Sequence, residues 1–537
     1  MVVPDPSITG GRRDTTPGRL TVRRPLPLHP LLLAGLPVII LYANNLKYGV
    51  SVRDLLGPLF VVLAGAAVVT LAAWFFLRRN VLRGALAASL VVVLFFAYGP
   101  FAGAVAGRSL GGFELGRSGF VLALWLCLAV AGVVAVIRLR DRRVIGVTKA
   151  LNLVAAVLLL ANVARAEIYS LGTNHDVNVT GDVLSLGRSG GPTGASTATG
   201  RSRDIYYIML EEYGGLRALR DLFAYDNQPF LDFLKSRGLY VVEHARTNYP
   251  HTAHSLASSL NLQYIDQLLP PDPSDDWSPL YELIKNDQVP KFLKARGYRY
   301  IHMGSWWTPT ASNPQADANI KLHGALSEFN TSLVKGTVLG PIGGTFSGAL
   351  DFRKREYIRV LFEFDQLLKT RQVAGPKFVF AHILIPHEPF VFGADGHYVD
   401  EAEAASHSDA ENYVNQLTYA NQRVMEVIDA LLSGPPEDDP VIVLQSDEGP
   451  YTGLDYGSRA TIGELEMHFG ILNAYHFPGL ASTGLYPEIT PVNTFRLLFD
   501  DYFDADLPLL PDRNYVFPDP SHLYTFIDVT DEVLGVS

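Results

Sequence analysis

Five apolar stretches fill most of the first third of this 537-residue chain. Each approaches the roughly 20 residues that a helix needs to cross a bilayer. They cover residues 27–46, 55–77, 84–106, 119–137 and 144–164, and Pro37 interrupts the first. Burial inside a large soluble protein is the alternative, but five such stretches in succession favour a membrane. We therefore predict a transmembrane domain of about five helices over residues 28–168.

The segment before these stretches, residues 1–27, is polar, proline-rich and basic, which is typical of a disordered cytoplasmic tail. A cleaved signal peptide is less favoured, because four more apolar stretches follow the first. With the tail inside, the inside segments hold twelve Arg and the outside loops four Lys or Arg, as the positive-inside rule expects. An odd number of spans predicts a multi-pass protein of the cell membrane whose residues after Ala164 are extracytoplasmic. No ionisable residue lies near the centre of a span, so transport is disfavoured.

The net charge changes sign near residue 170, close to the end of the last apolar stretch. Residues 1–170 hold 18 Lys and Arg against 6 Asp and Glu, whereas the remainder holds 26 against 48. This acidic balance disfavours nucleic-acid binding, because affinity for phosphate backbones rests on Lys and Arg. The one cysteine, Cys127, lies in an apolar stretch, so the fold has to be stable without an intramolecular disulfide. Nothing in the sequence indicates an obligate protein partner.

Residues 169–203 are rich in Gly, Ser and Thr, which predicts a flexible linker. The last domain, over residues 204–537, alternates short apolar stretches with longer helical ones. The predicted strands are 205–210, 239–244, 298–303, 377–383, 441–444 and 469–475, and the predicted helices are 230–237, 289–296, 357–370 and 412–432. Such alternation predicts an α/β domain with a mostly parallel sheet between helices.

Two of the predicted strands lead into acidic residues. Glu211 and Glu212 follow the strand 205–210 directly, and Asp447 and Glu448 come shortly after the strand 441–444. In open α/β sheets ligands bind beyond the carboxyl ends of the strands, so these side chains lie where chemistry usually occurs. Carboxylates gathered at one sheet edge predict a site for a hard divalent cation.

Three further segments carry side chains suited to catalysis. In NYPHTAHSLASSLN, Thr252 precedes a helical stretch and is either a plain helix cap or a hydroxyl nucleophile beside a metal. In HILIPHEPFVFGADG, His387 is either structural or a group that stabilises an oxyanion or protonates a leaving group. In YIHMGSWW, His302 and Trp306 follow another strand, either as a packed aromatic cluster or as substrate contacts.

The order of these segments resembles that of the sulfatase and alkaline phosphatase superfamily. It is most similar to the membrane-anchored members, the group that includes the lipoteichoic acid synthases, which have five N-terminal spans and an extracytoplasmic catalytic domain. The resemblance implies an alkaline phosphatase-like fold for residues 204–537. It further implies that Glu211, Thr252 and Asp447 bind a metal and that Thr252 is the nucleophile. His387, with His302 and Trp306 or Trp307, would then contact the substrate.

The chain departs from the family's pattern in ways that narrow the chemistry. Relatives have S-D-H-G where this chain has S-D-E-G, so Glu448 replaces a metal-binding histidine. A fourth metal ligand with a carboxylate oxygen favours Mn, Mg or Ca over Zn. Thr308 and Pro309 follow the tryptophans where the resemblance implies a basic residue. The C/S-x-P-x-R segment that sulfatases proper convert to formylglycine has no counterpart, which disfavours sulfate-ester hydrolysis.

Taken together, these patterns predict a membrane-anchored, metal-dependent phosphoryl-type transferase or hydrolase with Thr252 as nucleophile. Its substrate would be a membrane lipid or a lipid-linked ester of the cell envelope. Because Glu448 replaces histidine, the alternative is a catalytically inactive envelope protein of the same fold that binds a glycan or a lipid headgroup. A sulfuric ester hydrolase is the remaining alternative.

Overall fold

The computed structural model describes residues 25–110, 113–114, 118–172, 202–271, 274–324, 326–346, 348–450, 460–480 and 483–535. Most of the predicted tail and most of the predicted linker lie outside these residues. The described residues form an N-terminal bundle of helices and a C-terminal α/β domain.

Five N-terminal helices are long and apolar enough to cross a membrane, as the sequence predicts. They are α1 (His29–Asn45), α2 (Val52–Phe76), α3 (Val81–Val105), α4 (Ser118–Arg138) and α5 (Asp141–Gly172). Large apolar side chains such as Phe60, Phe76 and Leu126 are well exposed on their outer surfaces, which suits contact with lipid. Helix α5 continues past residue 169, where the linker was predicted to begin, and Tyr169 packs against α1.

Seven strands of the α/β domain form one sheet. A short antiparallel hairpin, β1 (Ser109–Leu110) and β2 (Phe113–Glu114), precedes them in the chain. The seven are β3 (Ile205–Leu210), β4 (Tyr240–Val241), β5 (Arg299–Met303), β6 (Ala318–Ile320), β7 (Lys377–Ile383), β8 (Val441–Ser446) and β9 (Asn473–His476). Their order is β4-β9-β8-β3-β7-β5-β6. Strands β8, β3, β7, β5 and β6 are parallel, and β9 is antiparallel to β8.

Helices cover both faces of this sheet, which explains why its central strands read as continuous apolar stretches. Along β3, Tyr207 packs in a core that includes Leu256, whereas Ile208 packs in the opposite core with Phe364. The helices are α6 (Leu216–Phe223), α7 (Gln228–Ser236), α8 (Thr252–Asn261), α9 (Ile265–Leu268), α10 (Ser278–Lys285), α11 (Gln288–Lys294), α12 (Glu328–Lys335), α13 (Leu339–Phe346), α14 (Phe352–Lys369), α15 (Glu401–Ala404), α16 (Asp409–Leu431), α17 (Ile462–Phe469), α18 (Pro491–Phe503) and α19 (Thr530–Leu534). The last hairpin pairs β10 (Tyr515–Val516) with β11 (Ile527–Asp528).

The predicted strands at the sheet edge differ most from the structure. Phe469, the first residue of the predicted strand 469–475, is instead the last residue of α17. That helix starts at Ile462, where Thr461 and Glu464 form a capping box. The predicted strand 239–244 shrinks to the two residues of β4, and the edge strand β6 was not predicted.

The membrane helices contact the α/β domain at several places in the described part of the chain. After α1, the carbonyl of Lys47 accepts a hydrogen bond from the N–H of Trp277 at 2.7 Å, and its ammonium lies 3.2 Å from Asp275. Between α12 and α13, Val338 N–H donates to the carbonyl of Phe95 in α3 at 3.1 Å. These contacts bring the end of α1 to the carboxyl edge of the sheet.

Candidate active site

The two acidic segments meet at the centre of the sheet. Strands β3 and β8 are parallel neighbours in which Leu210 is paired with Ser446, so Glu211 and Asp447 leave the sheet at the same level. The N–H of Glu212 donates to Asp447 Oδ1 at 3.2 Å. The predicted convergence of these carboxylates is therefore present in the structure.

Thr252 faces this cluster from the first turn of α8. Its Oγ1 lies 2.9 Å from Glu211 Oε1 and 2.8 Å from Glu448 Oε1, and its N–H donates to the same Glu448 oxygen at 3.1 Å. The residue that caps the helix is His251, so Thr252 is not the plain cap that was one reading of the sequence. A hydroxyl has one proton, so both of its short contacts are hydrogen bonds only when one carboxyl is itself protonated.

His382 is a member of the site that the sequence analysis missed. It is the penultimate residue of β7, where its neighbour in β3 is Met209, two positions before Glu211. Its Nε2 hydrogen-bonds Glu211 Oε2, and its Nδ1 lies 3.0 Å from Thr310 Oγ1. Both ring nitrogens are thus fixed by partners. A histidine within the apolar stretch FVFAHI that follows Lys377 is the sequence signal that was available.

His302 lies elsewhere, and we correct its predicted role as a substrate contact. It is buried in β5, with Nδ1 3.0 Å from the Tyr300 hydroxyl and Nε2 2.8 Å from the carbonyl of Thr310. Strand β7 separates β5 from β3, so His382 rather than His302 reaches Glu211.

The other predicted substrate contacts, His387 and Trp306, line a cavity above the carboxylate cluster. His387 Nε2 is 3.7 Å from Glu212 Oε1, and its ring centroid is 6.1 Å from that of Trp306. Burial acts to lower the pKa of His387, but Glu212 and Glu211 outweigh it and raise the pKa above its ordinary value. The imidazolium form is therefore retained to higher pH than in a free histidine side chain.

The carboxyls of the cluster titrate very differently. Burial opposes ionisation of Glu211, but the neighbouring His382 and His387, together with its hydrogen bonds, lower its pKa to about 2. Burial raises the pKa of Asp447 well above its usual range, and negative Glu211 adds to that. Burial, then Asp447, raises the pKa of Glu448 in the same way. The cluster therefore carries extra protons unless a cation replaces them.

The residues of the cluster fit a divalent cation. Ligand atoms of Glu211, His382 and Asp447 lie within 4.8 Å of one another, and all three residues are buried. Asp447 Oδ2 is buried without a hydrogen-bond partner among the described residues, which is costly unless a ligand binds it. The sequence analysis predicted a metal site made of oxygen donors alone. His382 adds a nitrogen donor to this set.

A cavity of about 410 Å³ opens above the cluster. Acidic and aromatic side chains dominate its walls, and the α/β domain supplies most of them. Asn45 and Tyr48, at the end of α1, complete the lining. The lining residues from the α/β domain include Glu211, Glu212, His251, Thr252, Tyr281, Trp306, Trp307, Glu328, His387 and Glu448. The candidate active site is thus formed by both halves of the chain.

Comparison with protein families identifies the fold that builds this site. The family model described as Sulfatase matches residues 203–495, which is more than half of the chain. The chain belongs to the sulfatase family. Sulfatase-family membership makes it a relative of hydrolases and transferases that depend on a metal, and it confirms the family that the sequence motifs resemble. The match begins where the α/β domain begins.

Solved structures with low sequence identity also align with this sulfatase-family chain. The C-terminal periplasmic domain of EcEptC from Escherichia coli, in complex with Zn, has 13% identity and a TM-score of 0.41, over 63% of this chain and 96% of that one. The integral membrane protein lipooligosaccharide phosphoethanolamine transferase A from Neisseria meningitidis has 15% identity and a TM-score of 0.35, over 88% and 94%. No curated protein matches the chain.

Proposed function

We propose that this protein is a membrane-anchored, metal-dependent phosphoryl-type transferase or hydrolase that uses Thr252 as its nucleophile. The observation that carries the proposal is the position of Thr252 Oγ1, 2.8 to 2.9 Å from two carboxylate oxygens at the mouth of a cavity. A hydroxyl so placed has acceptors for the proton it must lose. The cavity above it gives an ester room to approach.

The chain's own residues account for the proton transfers. Thr252 Oγ1 attacks phosphorus, its proton passes to Glu211 or Glu448, and the bond from phosphorus to the leaving oxygen breaks. His387, whose raised pKa favours the imidazolium form, donates a proton to that oxygen. The product is a phosphothreonine ester. Water or an acceptor hydroxyl then attacks phosphorus and gives its proton to the now neutral His387. The bond from phosphorus to Thr252 Oγ1 breaks, and the carboxyl returns its proton to that oxygen, which restores Thr252.

Glu211, Asp447 and His382 would hold the divalent cation, with Thr252 and Glu448 at its edge. A bound cation would lower the pKa of the Thr252 hydroxyl and neutralise charge on the phosphoryl oxygens. His382 is oriented for this role by Thr310, whose hydroxyl fixes the other ring nitrogen. The carboxylate oxygens keep Mn, Mg or Ca as the favoured metals, while His382 supplies the imidazole that position 448 lacks.

The predicted substrate is a lipid or a lipid-linked ester of the cell envelope. The presence of Asn45 and Tyr48 in the cavity wall supports it, because both residues end a helix able to cross a membrane. A substrate anchored in the same bilayer would present its headgroup at that height. The catalytic domain would then lie outside the cytoplasm, as the distribution of basic residues predicts.

One observation favours a second function. Glu448 Oε1 accepts a hydrogen bond from the Thr252 N–H and contacts the Thr252 hydroxyl. A carboxyl therefore already binds both polar groups of the proposed nucleophile. A protein fixed in that arrangement would retain the fold and bind a glycan or a lipid headgroup without turnover.

The two functions are separated by one experiment on the full chain in detergent. Metal content is measured by elemental analysis, and turnover of a phosphodiester and of a sulfate ester is followed for wild type, Thr252→Ala and Thr252→Ser. The proposal expects a bound divalent ion, phosphodiester turnover that Thr252→Ala abolishes, and a phosphothreonine peptide by mass spectrometry. Absence of metal, with turnover equal to that of Thr252→Ala on both esters, would establish the inactive binding protein instead.

A further inference from the structure

A second cavity lies beside the catalytic one, and its lining includes three basic residues and the two carboxylates Glu328 and Glu356. It has a volume of about 240 Å³ and contains Lys335 at the end of α12 and Arg355 and Arg359 in α14. We call it the basic groove. Trp306 and Glu328 line both cavities, so the two share a wall. A single extended ligand can therefore contact both.

Two of the three cations in the basic groove have no carboxylate partner among the described residues. Arg359 is paired with Glu356 on the same helix, and both residues are buried. Arg355, by contrast, makes one weak hydrogen bond, 3.4 Å from a main-chain carbonyl, and its Nε is buried without a partner in the part of the chain that the structure describes. Lys335 lies 5.2 Å above the ring of Phe352 and forms no ion pair with the described residues.

The catalytic cavity has the opposite charge. Its lining contains Glu211, Glu212, Glu328 and Glu448, and none of its described lining residues is Lys or Arg. A cation on the cluster can neutralise the phosphoryl group that reacts there, but not a second anionic group of the same substrate. Across Trp306, Lys335 and Arg355 of the basic groove supply positive charge that no carboxylate of the described residues pairs.

We propose that the basic groove binds a second phosphate-type group of the substrate whose ester reacts at Thr252. That an ester reacts at Thr252 rests on the proposed function, whereas phosphate binding in the groove is argued from the groove's own residues. Arg355 offers a planar fork of N–H donors for two phosphate oxygens, and Lys335 offers a mobile point charge. Trp306 lies between the two ends and packs along the connecting atoms. The phosphate can belong to a membrane lipid or to a soluble molecule.

Direct binding to the full chain tests this assignment without relying on turnover. The protein is held in an uncharged detergent with a chelator, so that no metal is left to bind phosphate at the catalytic cluster. Titration calorimetry then uses three probes: inorganic phosphate, dioctanoyl phosphatidic acid and dioctanoylglycerol. The variants are Lys335→Gln, Arg355→Gln, their double variant and Lys369→Gln. Lys369 is an exposed residue at the far end of α14, so its substitution removes a charge outside the groove.

The proposal expects phosphate or phosphatidic acid to bind the wild type, and dioctanoylglycerol not to bind. Each single groove variant should bind about tenfold more weakly, because a charge-assisted contact is lost, while Lys369→Gln binds like the wild type. Binding of phosphatidic acid alone assigns the phosphate to a lipid, and equal binding of both assigns it to a soluble molecule.

Two results would overturn the assignment: neither phosphate probe binds the wild type, or the double variant binds as tightly as the wild type. Thr252→Ala keeps this test separate from the proposed function. That variant should lose turnover and keep phosphate binding. If it keeps both, the nucleophile is wrong while the groove stands.

Discussion

Glu448 contacts the candidate nucleophile twice, through the N–H and the hydroxyl of Thr252. It also lies beside Asp447. Burial raises the pKa of both carboxyls, and negative Glu211 adds to this at Asp447 while Asp447 adds to it at Glu448. A carboxylate at this position brings negative charge where the family resemblance implies imidazole.

Replacing Glu448 by histidine should change the preferred metal. Glu448→His removes one carboxylate and adds a softer nitrogen donor, so we expect affinity for Zn²⁺ relative to Mn²⁺ to rise about tenfold. Titration of the full chain, first freed of metal with a chelator, with each metal measures the ratio of the two affinities. Glu448→Gln, which removes the charge without adding a nitrogen, is the control and should not favour zinc. An unchanged ratio in Glu448→His would mean that residue 448 does not touch the metal.

Metal removal should make stability depend on pH with a defined sign. Without a cation, Asp447 and Glu448 hold protons more tightly in the folded than in the unfolded chain. The free energy of unfolding should therefore fall as pH rises from about 4, the unfolded carboxyl value, through the raised folded-state pKa values. A bound divalent cation should remove this decline. Melting temperature against pH, with chelator and with Mn²⁺, measures both effects.

The glutamine variant provides the comparison for the pH series as well. In Glu448→Gln one of the two raised carboxyls is absent, so the decline in melting temperature with chelator should be shallower than in the wild type. A wild-type melting temperature that rises between pH 4 and 8 in chelator would contradict the assignment of raised pKa values.

At the level of elements, the central strands were predictable and their order was not. Strands β3 and β7 lie where the sequence places them, because strands covered by helices on both faces appear as continuous apolar stretches. The parallel register of β3 with β8 brings Glu211 and Asp447 together. The hydrophobic pattern predicts that a strand exists but not which strands lie beside it in the sheet. The sequence analysis therefore named His302 in β5 and missed His382 in β7.

Substitution of the two strand histidines should separate their roles. His382→Gln removes a candidate ligand, and we expect metal affinity to fall by about 10- to 100-fold, with a matching loss of phosphodiester turnover. His302→Gln is the matched control: it perturbs a buried hydrogen-bonded ring and should lower the melting temperature while metal affinity stays near the wild-type value. Calorimetric titration with Mn²⁺ distinguishes them. Equal losses of affinity in both variants would remove His382 from the ligand set.

For the molecule as a whole, the sequence predicted two halves but not their contact. The five apolar helices and the α/β pattern each have a local signature, whereas the docking of the α1 end against α10 depends on contacts between residues more than 200 positions apart, such as Lys47 and Asp275. Tyr48 therefore has no motif that marks it as a wall of the cavity, and the structure alone brings it there.

Tyr48 should matter for lipid-linked substrates and not for small ones. Tyr48→Ala removes a wall next to the membrane, so we expect a KM several-fold higher for a phospholipid ester and unchanged kinetics for a water-soluble phosphodiester. Lys47→Ala, which removes an exposed ion pair worth about 0 to 1 kcal/mol, is the control and should leave both KM values unchanged. Equal effects of Tyr48→Ala on both esters would indicate a general disturbance of the site.

Because the end of α1 forms part of the cavity, a bilayer around the five apolar helices would hold the Thr252 hydroxyl at a fixed height above its surface rather than on a free tether. A lipid-linked ester would then meet it by lateral diffusion in two dimensions. Turnover should follow the mole fraction of substrate in the surface and not its bulk concentration. Diluting mixed micelles with neutral detergent, at constant total substrate, should slow the reaction in proportion.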